Sequence, residues 1–258
     1  MKYRAESGLY PVHAALAPFR RAILRSACAV VANSAGLKAM SELADSTPVL
    51  VIANGVDTSF FKPAARLQPS DAPLRLLFVG RFQSQKNLLW MLDQLAGVRL
   101  STRRTFVLDL VGDGPLRHEL EDRIRNLMMA DIVSFHGWTD RNELRTFYQS
   151  ADLVLNPSLY EGMPNVVLEA MACGRPVLVS RVPGNEAVVV HGVSGWLYSS
   201  GDSDDFRNRV QSFLEFPEIA IPLGAAARER AEREFSWDRA TQSYLELLNG
   251  THPNPPNS

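Results

Sequence analysis

The chain has 258 residues, 46% of them apolar, and a formal net charge of -1. This length and composition allow a large buried core, while the near-neutral charge argues against a nucleic-acid partner. No apolar run approaches the roughly 20 residues that span a bilayer, and the first ten residues lack the apolar stretch of a signal peptide. We therefore expect a cytoplasmic protein, with at most a peripheral association with membranes.

The first 62 residues predict only one or two βα units, which is too little for a complete domain. Two β-rich runs, "CAVVANS" (28–34) and "PVLVIANG" (48–55), flank a short helical pattern. A helix carrying three arginines precedes them, and we interpret its charge as a solvated face. The Pro- and Ala-rich residues 63–73 predict a linker to the rest of the chain.

The cysteines indicate the redox compartment. Cys28 and Cys173 are the only two, and both lie among small apolar residues. We therefore predict buried thiols in a reducing compartment rather than a disulfide or a zinc site.

Between residues 74 and 200 short β-rich runs alternate with helical patterns. This alternation predicts an α/β domain with a Rossmann-like, doubly wound parallel sheet, because strands that are apolar on both faces need helices on both sides. The predicted strands are 74–80, 105–112, 132–137, 151–158 and 175–180. The predicted helices are 86–97, 115–128, 141–150 and 164–173. Residues 201–250 predict further helices, and the Pro- and Asn-rich residues 251–258 a disordered tail.

The stretch "YEGMPNVVLE" (160–169) is the first candidate site. We place Pro164 at the first helical position, where its missing N–H has no partner to lose, and expect the next amides to hold a phosphate. Glu169 could then accept hydrogen bonds from vicinal ribose hydroxyls, and Glu161 would face the other end of the ligand. Alternatively, Glu161 merely complements the helix dipole and Glu169 is an exposed helix residue.

The loop "GRFQSQK" (80–86) is the second candidate. Gly80 allows close approach of a ligand to the backbone, while Arg81 and Lys86 could neutralise a diphosphate without a metal. The alternative is an ordinary solvated basic loop.

Other patterns are weaker. "VGDGP" (111–115) opens a helix, but Arg117 stands where the dinucleotide-binding motif needs its third glycine, so an NAD-dependent dehydrogenase is disfavoured. Asp202 and Asp204 predict a helix cap rather than a metal site. His136 lies at a strand end, where a packed or capping role is favoured, and the five histidines lack metal-ligand spacing.

Taken together in their order, the motifs are far more specific than any one alone. The chain resembles the donor-binding half of the GT-B fold glycosyltransferases of family 4, the group 1 class. Glu161 and Glu169 match the family's E-x7-E motif, and Arg81 and Lys86 match its diphosphate-binding pair. The resemblance covers about residues 28–249 and rests on these stretches: "NGVDTSFFKP", "LLFVGRFQSQKN", "LVGDGP", "VSFHGWTDRNEL", "ADLVLNPSLYEGMPNVVLEAMACGRPVLVS", "GVSGWLY" and "EFSWDRA".

The resemblance implies two facing lobes, of which the second binds a nucleotide-sugar. It implies transfer of the sugar with retention of configuration, no essential metal and no other cofactor. Arg81 and Lys86 would stabilise the departing diphosphate, and they form the implied catalytic set together with Glu161; Glu169 would bind the ribose. The other implied donor-binding residues are Gly80, Gly112, His136, Gly162, Met163, Pro164, Asn165 and Val166, with Gly112 and His136 near the base.

The resemblance also sets expectations about partners. The donor would be a UDP-, GDP- or ADP-sugar and the acceptor a saccharide or a lipid-linked saccharide. On the usual size of a lobe, a full member needs roughly 150 more residues at the amino end. We therefore interpret residues 1–62 as a remnant of the acceptor lobe, with a partner chain as one source of the remainder. The alternative is a non-catalytic nucleotide-sugar-binding module or a subunit of a split enzyme.

Overall fold

The computed structural model describes residues 16–45, 47–64 and 72–250. Most of the expected linker, 65–71, and the whole expected tail, 251–258, lie outside the described residues. Within the described ranges, no helix is both long enough and apolar enough to cross a membrane.

The amino-terminal segment forms a small two-stranded unit. Its elements are α1 (Ala17–Ser26), β1 (Val31–Ala32), α2 (Ala35–Ala44) and β2 (Leu50–Val51), and the two strands pair in parallel. Neither helix contains a buried residue. The prediction of a buried Cys28 is wrong, because this residue is exposed beside a sheet too small to cover it. Cys173, in the larger domain, is fully buried as predicted.

A six-stranded sheet forms the centre of the molecule. Its order is β5-β4-β3-β6-β7-β8, and every neighbouring pair is parallel. The five predicted strands are confirmed with shorter bounds, and a sixth was missed. The strands are β3 (Leu74–Val79), β4 (Phe106–Val111), β5 (Val133–Gly137), β6 (Leu153–Asn156), β7 (Val177–Ser180) and β8 (Trp196–Tyr198).

Helices cover both faces of this sheet, which confirms the doubly wound α/β prediction. The helices are α3 (Leu88–Ser101), α4 (Arg117–Asn126), α5 (Arg141–Ser150), α6 (Asn165–Ala172), α7 (Pro183–Val188), α8 (Ser203–Glu215), α9 (Ile221–Glu234) and α10 (Trp237–Leu248). Two short 3-10 turns, Ser84–Lys86 and Pro217–Ala220, also occur among the described residues.

The boundary at Lys86 differs from prediction. The expected helix over 86–97 begins only at Leu88, because Asn87 adopts the left-handed conformation (φ 54°) and separates the 3-10 turn from the helix. Lys86 therefore ends a 3-10 turn instead of opening an α-helix.

Each face of the sheet has its own core. One core contains residues of α3, α4 and α8, and the other contains residues of α5, α6 and α9. Val56 and Phe61 belong to the second core, although they precede the expected linker. The end of the amino-terminal segment is thus packed into the larger domain.

The order of the strands places a crevice at the carboxyl ends of β3 and β6. Successive strands run outward from β3 to β5 in one direction, and from β6 to β8 in the other. Ligands of open α/β sheets bind where the strand order reverses in this way. The loop after β3 carries Arg81 and Lys86, and the loop after β6 carries Glu161.

Candidate functional site

The two sequence motifs meet at this crevice. Lys86 Nζ lies 2.6 Å from Glu161 Oε1, and these side chains are only 14% and 8% exposed. Gln85 adds two contacts between the same loops: its Nε2 donates to the carbonyl of Tyr160 (2.7 Å), and its own carbonyl accepts from the Leu159 amide (2.8 Å). The loops after β3 and β6 are therefore held together by one ion pair and two hydrogen bonds, although Lys86 and Glu161 are 75 positions apart in the chain.

The turn after β3 positions both basic side chains. Gly80 has φ +150°, and a Cβ at this position would lie 3.6 Å from Cε of Lys86, so the lysine stem packs over the glycine. Arg81 differs from Lys86, because it is exposed and its guanidinium makes no ion pair with a described residue.

Buried polar side chains that sequence reasoning missed support the loop after β6. Ser158 donates to Oδ1 of Asn156 (2.6 Å), Asn185 donates to the carbonyl of Ser180 (2.8 Å), and the Ser180 hydroxyl donates to the Ser158 carbonyl. All four residues are at most 2% exposed. The signal was the presence of Asn and Ser at the ends of apolar strands, where buried polar groups need partners.

Helix α7 packs closely against Glu161. A Cβ at Gly184 would lie 2.5 Å from the carbonyl oxygen of Glu161, so only glycine allows this approach. On its other side, α7 contacts the amino-terminal segment, where a Cβ at Gly36 would lie 2.7 Å from Cβ of Pro183.

The amino end of α6 faces the crevice. Pro164 is the N-cap, not the first helical residue as predicted, since its backbone is extended (ψ 98°) and its carbonyl accepts from Val167 and Leu168. The amides of Asn165 and Val166 donate to no described backbone group outside the helix. The amino ends of helices leave such amides free for an anion.

The amino-terminal segment contacts this loop as well. Asn54 Nδ2 donates to Oδ1 of Asn165 (2.8 Å), and the Asn54 amide lies 3.0 Å from the sulfur of Met163. A Cβ at Gly162 would lie 3.0 Å from Cδ1 of Leu37.

Glu169 lies within α6 and is partly buried, so the alternative prediction of an exposed helix residue is wrong. Burial raises the pKa of its carboxyl group, while a hydrogen bond from Tyr148 and the charge of Arg141 lower it. The Tyr148 hydroxyl donates to Glu169 Oε2 at 2.8 Å. Glu169 also lines a cavity of about 350 Å³, whose other lining residues include Asp57, Arg141, Asn165 and Trp237.

Gly112 and His136 lie on the neighbouring strand ends. Gly112 has φ +128°, and a Cβ there would lie 2.1 Å from the carbonyl oxygen of Gly80, so the turns after β3 and β4 touch. His136 Nε2 is hydrogen-bonded to Asp109 Oδ1 (2.7 Å), and its ring packs 4.5 Å from that of Phe147. The packed role predicted for His136 is confirmed.

The remaining acidic motif is structural. Asp202 caps α8 by accepting from the amides of Asp204 and Asp205, each at 3.0 Å, as predicted. Across the described part of the chain, no three His, Cys, Asp or Glu side chains cluster closely enough to hold a metal ion.

Comparison with known proteins identifies the class to which this fold and crevice belong. Residues 73–215 match the family described as glycosyl transferases group 1. The chain belongs to this family, and its sheet is that of the GT-B glycosyltransferases.

Relatives with assigned names include two enzymes. The chain is 31% identical to a glycogen synthase of Mycobacterium tuberculosis, over 78% of this chain and 49% of that protein. It is 34% identical to a D-inositol 3-phosphate glycosyltransferase of Saccharomonospora viridis, over 80% of this chain and 51% of that protein. The chain thus spans about half the length of these relatives.

Among solved structures, the Anabaena protein HepE in complex with UDP and glucose superimposes with a TM-score of 0.78 and 25% identity. The match covers 88% of this chain and 64% of HepE. Sucrose-phosphate synthase from Thermosynechococcus elongatus superimposes with a TM-score of 0.76 and 29% identity, over 91% of this chain and 62% of that one.

Proposed function

We propose that this chain is the donor-binding part of a glycosyltransferase. In this proposal a nucleotide-sugar binds at the crevice, and the sugar passes with retention of configuration to a saccharide or lipid-linked acceptor. The observation that carries the proposal is the contact between Lys86 and Glu161 at the reversal of strand order, beside the free amides of α6. The complex of HepE with UDP-glucose supports the choice of donor.

The diphosphate is assigned to the basic loop and the helix end. The Lys86 ammonium has three donors and gives one to Glu161, so two remain for phosphate oxygens. Arg81 has no ionic partner among the described residues and presents a planar fork to the same group. The amides of Asn165 and Val166 add donors at the positive end of the helix dipole. Together these groups would stabilise the charge of the leaving diphosphate without a metal ion.

The two uncharged ends of the donor are assigned to the two glutamates. Glu161, with the backbone of Gly162 and Met163, would contact the sugar at the mouth of the crevice. Glu169 would accept hydrogen bonds from the ribose hydroxyls, since a carboxylate oxygen accepts up to two. Gly112 and His136 remain our assignment for the neighbourhood of the base.

The first experiment is a thermal-shift titration with UDP, GDP, ADP and NAD. A ligand that binds only the folded state adds about 2.7 kcal/mol of stability at a hundredfold excess over its dissociation constant. Arg81→Ala is the test variant. Arg103→Ala is the matched control, since Arg103 is exposed ahead of β4, at the opposite end of the strands.

We expect one nucleoside diphosphate to raise the melting temperature of the wild type and of Arg103→Ala, and to stabilise Arg81→Ala by about half as much or less, since a tenfold weaker ligand at the same concentration adds only about 1.4 kcal/mol. Loss of one charge-assisted contact to phosphate should weaken binding by about tenfold or more. A larger shift with NAD would point instead to a dinucleotide-binding enzyme. Absence of a shift with all four ligands would overturn donor binding by this chain.

A further inference from the structure

We propose that Tyr148 is a positioning residue for Glu169, because its hydroxyl fixes one carboxylate oxygen and leaves the other for the ligand. This inference rests on the proposed function, since it assigns Tyr148 a role in the ribose contact made by Glu169. It adds a residue outside both loops, on helix α5, to the candidate site.

The geometry distinguishes the two oxygens of Glu169. Oε2 accepts a hydrogen bond from the hydroxyl of Tyr148 at 2.8 Å. Oε1 accepts no hydrogen bond from a described side chain or amide, and it is not fully buried. Because Glu169 lines the cavity, Oε1 is the oxygen available there. The side chain is therefore oriented before a ligand arrives, which lowers the entropy lost on binding.

The tyrosine itself is rigid. Tyr148 is fully buried, and its ring packs edge-on against Phe61 with the centroids 5.9 Å apart. Burial and the neighbouring Glu169 raise the pKa of the Tyr148 hydroxyl well above its usual value, so it stays protonated and acts as a donor throughout the working range of pH.

The hydrogen bond also determines how easily Glu169 ionises. Burial raises the pKa of this carboxyl group, and the hydrogen bond from Tyr148 is the larger of two influences that lower it. The other is the positive charge of Arg141, also on α5. Two further titratable groups face the same region. One is Asp57, across the cavity, and the other is Cys173, the residue that follows the last residue of α6, whose thiol has a pKa raised by burial to about 12.

Removal of the hydroxyl should therefore raise the pKa of Glu169. Tyr148→Phe keeps the ring and its packing while deleting the donor. Tyr198→Phe is the matched control, because Tyr198 is equally buried but lies in the core on the other face of the sheet. If ionised Glu169 binds the ribose, affinity falls as the pH drops through its pKa, and in Tyr148→Phe this fall should occur at higher pH.

Two measurements on the whole chain test the proposal. The first follows the ¹³C carboxyl signal of Glu169, identified by its absence in Glu169→Gln, in a pH titration without any ligand. The second measures UDP affinity by calorimetry at pH 6 and pH 8. We expect Tyr148→Phe to titrate at higher pH than the wild type, and to lose more UDP affinity at pH 6 than at pH 8, by at most about tenfold, the effect of a lost hydrogen bond to a charged group. At pH 8 the loss should be less than about threefold, and Tyr198→Phe should match the wild type in both measurements.

The outcomes separate this inference from the proposed function. An unchanged titration of Glu169 in Tyr148→Phe overturns the inference even if UDP binds. The inference is also overturned if the pKa of Glu169 rises in Tyr148→Phe but the UDP affinity falls equally at pH 6 and pH 8. A general structural defect would explain that pattern. A raised titration in a protein that binds no nucleoside diphosphate supports the positioning by Tyr148 and overturns the proposed function. In the Glu169→Gln background, Tyr148→Phe should no longer alter the pH dependence.

Discussion

The surroundings of Glu161 and Glu169 differ, although eight positions separate the two residues. Glu161 is paired with a cation, Lys86, at 2.6 Å. Glu169 is paired with a neutral phenol, and burial raises its pKa. A buried carboxylate that has a direct cationic partner is compensated for its lost hydration, and one that has only a hydroxyl is compensated less. The first carboxylate therefore supports the fold, while the second weakens it.

The two carboxylates have different roles in the crevice, because only one of them belongs to a structural ion pair. The ion pair joins two loops that the sequence separates by 75 residues, so it contributes to the shape of the crevice. The charge of Glu169 has no such structural partner. The ligand contact that we propose would give this charge a partner, in keeping with the tendency of perturbed carboxylates to cluster at functional sites.

The largest effect expected from this comparison is that of Lys86→Met. Removal of the Lys86 ammonium leaves the nearly buried Glu161 without a counter-charge, so the free energy of unfolding should fall by about 2–4 kcal/mol at pH 7. Urea denaturation measures this loss. The double variant Lys86→Met/Glu161→Gln should recover much of it, because no uncompensated charge remains. A double variant as unstable as Lys86→Met would mean that packing, not charge, accounts for the loss.

Glu169→Gln should have an effect of opposite sign on stability. Because the folded-state pKa of Glu169 lies above its unfolded value of about 4.5, the wild type loses stability as the pH rises from that value through the folded pKa. Glutamine avoids this loss, so the variant should be the more stable protein at pH 7 and equal to the wild type below about pH 4. Its UDP affinity at pH 7 should fall about tenfold. Thermal denaturation at both pH values tests the stability, and calorimetry tests the affinity. If Glu169→Gln were less stable than the wild type at pH 7, the charge of Glu169 would not weaken the fold.

The smallest effect is expected at the rim of the cavity. Asp57 pairs with Arg141 (2.9 Å), and a hydrogen bond from Ser59, another from the Phe60 amide and the Arg141 charge together lower its pKa. This stabilisation is present above the unfolded pKa and is lost as the pH falls through the folded one. Asp57→Asn should therefore cost less than about 1 kcal/mol at pH 7, as is usual for exposed pairs, and nothing near pH 2. Urea denaturation at the two pH values checks this; an equal cost at both would implicate packing instead of charge.

The sequence predicted the parts of the molecule that depend on local pattern. Five strands have near-continuous apolar runs and alternate with helical patterns, and this alternation predicted the doubly wound layer. Strand β8 was missed because it has only three residues, too few for a periodic signal. The burial expected for Cys28 failed because it depended on how many neighbours the two-stranded unit has, which local sequence does not encode.

The candidate site was predictable as residues but not as contacts. The motif placed Lys86 and Glu161 at strand ends, yet their ion pair depends on β3 and β6 being neighbours in the sheet. Tyr148 carries no motif signal, since a tyrosine in an amphipathic helix is typical of a core. Its contact with Glu169 emerges only when α5 and α6 pack on the same face.

Two glycine contacts in series link the amino-terminal segment to the candidate sugar end of the crevice. α2 touches α7 at Gly36 and Pro183, and α7 touches the backbone of Glu161 at Gly184, with no space for a single added carbon at either glycine. Contacts this close transmit displacement, because packed interiors are nearly incompressible. Rotation of the amino-terminal segment toward the large domain would therefore push α7 against the Glu161 loop. Through this path, a displacement of the amino-terminal segment would change the position of Glu161 in the crevice.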